Sequence, residues 1–78
     1  MSAKTKEYWA RHARNLVKSE LARRGLNYAD VAGRLKEIGI NESPENIRNK
    51  INRGTFSALF LLQVLNAIGC KSVDMQVN

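Results

Sequence analysis

A lone cysteine, Cys70, and a lone histidine, His12, remove much of the chemistry a small chain can carry. One thiol cannot form an internal disulfide, and no cysteine-rich metal site exists without further thiols. The seven acidic residues are scattered rather than clustered as a bound cation requires. His12 and Cys70 lie far apart in sequence, and no nucleophile–base pattern joins them, so an enzyme is not expected. No GxGxxG or GxxxxGK phosphate loop occurs either. The reading therefore includes no cofactor, no metal and no small-molecule effector.

Long apolar runs are also missing from the beginning of the chain. Its first fifteen residues, MSAKTKEYWARHARN, are polar and basic, which excludes a signal peptide or membrane span there. Nothing marks the chain for export, and a single thiol fits a reducing cytosol. Two or three separated aromatics, among them Tyr8 and Trp9, do not make a stacking platform for single strands.

What is present is a basic, moderately apolar chain of 78 residues, enough for one domain over 1–78 and too few for two cores. At 44% hydrophobic residues it should fold rather than stay disordered. The stability margin of so small a core is thin, and a dimer interface would add to it. The net charge of +6 is uneven. Met1 to Arg24 holds seven basic and two acidic residues, Gly25 to Arg53 five and four, and Lys71 balances Asp74. A polyanion is the partner class this distribution favours.

The apolar spacing predicts four helices, at about 6–24, 28–38, 44–53 and 56–68, then a tail over 70–78. In the first, Trp9, Ala13, Leu16, Val17 and Leu21 share one side, and Gly25 stops it. Asn27 is placed to cap the second, with Asp30 in its first turn. Val31, Ala32, Leu35 and Ile38 form its inner face, and Gly33 suits close approach of another helix. The only proline, Pro44, follows Ser43 and opens the third helix, where a missing N–H is no loss. Ile47 and Ile51 anchor it, Gly54 ends it, and Thr55 can cap the next. The fourth helix is apolar almost all round, while Val73, Met75 and Val77 alternate weakly enough for a short strand or an ordered tail. The fold class expected is all-α: a compact bundle of four to five helices with a short C-terminal strand or tail.

Two helices joined by a short turn, the second with amide and basic groups over an isoleucine back, make a helix-turn-helix unit. Such a helix fits the major groove of B-DNA, where asparagine and arginine pair with base edges. Pro44, Glu45, Asn46, Arg48 and Asn49 are the base-contact candidates. Lys50, Arg53, Thr55 and Ser57 are the phosphate candidates on and after this helix, with Arg11, Arg14 and Lys18 on the first. Arg23 and Arg24 are explained by the helix dipole at a C-terminus.

The segment Leu26 to Ile68 resembles the DNA-binding domain of phage-repressor-like proteins of the Cro/C1 helix-turn-helix group, the lambda-repressor-like fold. ADVAGRL is similar to that group's second helix, SPENIRNKINRG to its recognition helix, and FSALFLLQVLNAIG to the hydrophobic helix that follows. The resemblance implies transcription regulation by a homodimer on two-fold double-stranded DNA, in the bacterial cytoplasm and on the nucleoid when bound. It implies base reading around the buried aliphatic Ile47, at positions matching Pro44, Glu45 and Asn49. Two departures stand out. Ala32 precedes Gly39 by seven residues where the group has a four-residue interval, and Pro44 and Glu45 stand where glutamines are usual. Nearly the whole chain also resembles a bacterial family of small uncharacterised proteins with no assigned activity. Two other readings stay open: a protein-interaction or antitoxin-like module using the surplus apolar surface of helix four, and charge-driven, sequence-indifferent binding of DNA or RNA.

Overall fold

A computed structural model describes residues 5–75 of the chain. Within them the protein is all-helical: α1 (Lys6–Arg24), α2 (Tyr28–Glu37), α3 (Pro44–Arg53) and α4 (Ala58–Ala67). No strand occurs among the described residues, and 71–75 run on without regular structure. Of the short strand or tail expected after Cys70, the strand does not form around Val73 and Met75, and Val77 lies outside the described residues.

Each helix begins on a side chain that accepts one of its orphan N–H groups. Thr5, Asn27, Ser43 and Ser57 take the amides of Tyr8, Asp30, Asn46 and Phe60. At α2 the arrangement is reciprocal: Asn27 Oδ1 accepts from the Asp30 amide at 2.8 Å, and Asp30 Oδ2 accepts from the Asn27 amide at 2.9 Å. The fourth cap corrects the expectation. Ser57, not Thr55, starts α4, so Phe56 lies in the connection rather than in the helix.

The core is drawn from all four helices: Val17 and Leu21, Val31 and Leu35, Ile47 and Ile51, then Phe60, Val64 and Ile68. Leu35, Ile47 and Ile51 have no accessible surface. Truncating any one of them to alanine costs about 2–5 kcal/mol, against a total stability of about 4–12 kcal/mol for a chain of this size. α3 packs on both α2 and α1, while α4 packs on α2.

Two expected core positions lie outside this core. Ile38 falls beyond the last turn of α2 and is 45% exposed, because the chain turns away at Gly39. Trp9 is 50% exposed; the buried position near the start of α1 is Ala10. The close approach expected at Gly33 also lies elsewhere. A Cβ at Gly33 would meet nothing, whereas one at Gly54 would sit 2.1 Å from the Ala10 carbonyl oxygen. Gly54 has φ +70°, so it closes α3 and seats that end against the backbone of α1.

Candidate nucleic-acid interface

α3 owes its position to both ends and to its back. Ser43 Oγ accepts from the Asn46 amide at 3.1 Å, and Pro44 occupies the first turn without an N–H to satisfy. Ile47 and Ile51 are fully buried, which fixes how the helix is rotated about its axis. At about 100° per residue, Asn49 then points directly away from the isoleucines, flanked by Glu45, Asn52 and Arg53. Pro44, Glu45, Asn46, Arg48, Asn49 and Arg53 are all exposed. Every expected base-contact residue is therefore on the surface, as is the guanidinium-bearing Arg53.

The internal electrostatics of this surface are light. Arg48 Nη2 lies 3.8 Å from Glu45 Oε2, one turn back on the same exposed helix. Surface pairs of this kind contribute about 0–1 kcal/mol, so a stronger anion can displace Glu45 from Arg48. Lys50 differs. Its Nζ donates to Glu42 Oε2 at 2.5 Å and lies 5.0 Å from the Phe60 ring centroid. It is tied to the turn before α3 and to α4, and it does not join the outward face.

The α1 cations divide in the same way. Arg14 Nη1 donates to the Asn52 carbonyl at 3.0 Å, placing a positive charge at the C-terminal end of α3, where the helix dipole favours it. This bond and the Ala10–Gly54 contact hold the N-terminal half of α1 against the end of α3. Arg11 and Lys18 are exposed and share a side of α1 with Arg14, at spacings of three and four residues. Thr55 and Ser57 are exposed in the connection that follows, although Ser57 Oγ already accepts from the Phe60 amide.

A polar cluster that the sequence did not reveal lies at the other end of α1. Glu20 is almost fully buried and accepts from Arg24 at 2.6 Å and Arg23 at 3.2 Å. The Arg24 hydrogen bond holds its carboxyl below the usual carboxylate range against the opposing effect of burial, with Arg23 adding to the lowering. Cys70 Sγ lies 3.6 Å from Glu20 Oε1 and 3.2 Å from the Ser72 carbonyl. The dipole reading of Arg23 and Arg24 is therefore incomplete, since both also neutralise Glu20. The i, i+3 and i, i+4 spacing was the available signal. The burial of Glu20 had none.

The class these observations define is a small all-helical domain with one capped helix turned polar and basic side outward. The chain belongs to the DUF6471 family, described as a domain of unknown function, which matches residues 9–73 and so takes in all of α2, α3 and α4 and most of α1. Searches of curated proteins and of solved structures return no match. Among the described residues no helix is long and apolar enough to cross a membrane.

Proposed function

We propose that the protein binds double-stranded DNA through α3 and acts as a small transcriptional regulator of the phage-repressor-like helix-turn-helix kind. The observation that carries this reading is the orientation of α3. Buried Ile47 and Ile51 leave Glu45, Asn46, Arg48, Asn49 and Arg53 exposed together on a helix that fits the major groove. Asn49 suits an adenine edge and Arg48 a guanine edge, while Glu45 can accept from a cytosine amino group. Arg53, Arg11, Lys18 and the exposed Thr55 and Ser57 would hold phosphates on either side of the groove. Lys50 and Arg14 take a supporting part, since each already binds a group of its own chain.

A net charge of +6 also supports the second reading, binding to nucleic acid by charge with little regard for sequence. Selection from a random duplex library at about physiological salt separates the two, because charge contacts alone carry no sequence information. The specific reading predicts an enriched motif whose half-sites are related by two-fold symmetry. A library recovered without enrichment overturns the specific reading and favours the charge-driven one.

A further inference from the structure

We propose that the groove between α1 and α4 binds a small organic cation, a primary ammonium carried on an aryl or short alkyl body. The site shares no residue with the exposed side of α3, so it stands apart from the DNA-binding reading. No effector was expected from sequence, because the lining residues come from 9–19, 56–61 and 74–75, which only the fold brings together. The groove measures about 360 Å³, at the lower end of the range for small-ligand sites, about 300–1,000 Å³. Its walls suit the apolar body. Trp9, Leu16, Phe56 and Leu61 line it, and Trp9 is 50% exposed, which leaves part of its indole open to a ligand. The ring of His12, also in the lining, packs on Tyr8 with 4.5 Å between centroids. Aromatic faces attract a cation, tryptophan most strongly.

The polar groups suit the head. His12 and Asp74 are the ionisable residues of the lining, and none of the described lysines or arginines joins them. Asp74 forms no ion pair among the described residues, so its carboxylate is open to an ammonium. Ser19 Oγ donates to the Leu16 carbonyl at 2.9 Å, which leaves that oxygen only acceptor capacity for a ligand. Both groups therefore call for a donor. The basic side of α1 does not oppose it, since Arg11, Arg14 and Lys18 lie about 140–160° round the helix from Leu16. Arg23, about two turns beyond Leu16 on the groove's side, is paired with Glu20 at 3.2 Å. An anion would be drawn instead to the basic side of α1 or to α3. A wholly apolar ligand would cover Asp74 without compensating its charge. A metal ion finds too few ligands, since no group of three candidate side chains occurs among the described residues.

The test is a titration of the full chain at about pH 8, where an ordinary imidazole is neutral and an alkylammonium is charged. The probes are phenethylammonium, its neutral isostere phenethyl alcohol, and phenylacetate. Binding is followed by the NMR shift of the indole N–H of Trp9, the only tryptophan. The ammonium should saturate that shift with a Kd of about 0.1–10 mM, as befits so small a probe. The alcohol should bind about fivefold more weakly, and phenylacetate more weakly still. Asp74→Asn, at an exposed position, should bring the ammonium down to the affinity of the alcohol and leave the alcohol unaffected. Absence of a saturable shift with the ammonium up to about 50 mM overturns the proposal. So does the alcohol or phenylacetate binding as tightly, or a folded Asp74→Asn chain that keeps the preference for the ammonium.

Discussion

Lys50 is bonded to Glu42 at 2.5 Å across the turn that precedes α3, so the only lysine on this helix serves the fold. Arg48 and Arg53 are the cations left on its outward side. The distinction can be read in salt dependence. Each phosphate contact removed lowers the slope of log K against log salt by about 1. Arg53→Ala should show that full decrease, with Arg48→Ala adding a loss of base preference. Lys50→Ala should leave the slope almost unchanged. Duplex titrations at several salt concentrations measure this, and a full unit lost on replacing Lys50 would put that residue at the interface after all.

Gly25 and Gly54 have nearly the same backbone angle, φ +67° and +70°, but different surroundings. Alanine at position 25 meets open space, so Gly25→Ala should cost only the left-handed strain of about 1–2 kcal/mol. At position 54 the added carbon would strike the Ala10 carbonyl. Gly54→Ala should therefore cost clearly more, about 3 kcal/mol or above. In a domain of this size each kcal/mol lowers Tm by about 4–8 °C. Thermal melts should separate the two variants by at least one such step, and equal melting temperatures would contradict the close seat of α3 on α1.

Glu20 gives the fold an acid-sensitive component. Its native pKa is lowered, chiefly by the Arg24 hydrogen bond, so folding favours its ionised form. That contribution is complete above the unfolded carboxylate value of about 4.3 and is lost as the pH falls through the lower native value. Urea midpoints measured from neutral pH downwards should decline across this window. Glu20→Gln should show a shallower decline while being less stable at neutral pH. An identical acid limb in wild type and variant would count against this role.

Much of the fold was legible because its signals are local. The Asn27 cap, Ser43 with Pro44, and the Ile47–Ile51 pair all act within a few residues, and each stands where the spacing predicted, whereas the return bond from the Asn27 amide to Asp30 was not read. α1 and α3 have the predicted bounds, while α2 and α4 are one to three residues shorter. The misses depend on contacts distant in sequence. Trp9 fits an apolar stripe by spacing, yet Ala10 is what the close approach of Gly54 buries. Arg14 looked like any exposed cation until the fold brought the Asn52 carbonyl to it across 38 positions. Lys50 and Glu42 are eight residues apart, a spacing with meaning only once the turn geometry is known. The exposed side of α3 was readable from periodicity, because two isoleucines one turn apart fix its rotation.

The account rests most heavily on that exposed side of α3, and the double charge reversal Arg48→Glu/Arg53→Glu tests it most directly. Both side chains lie in solvent, so the variant should keep the wild-type helical circular dichroism and thermal transition. In a duplex titration at about physiological salt, the wild type should bind and the variant should not. A folded variant that binds the duplex as tightly as the wild type would contradict the placement of the interface on α3.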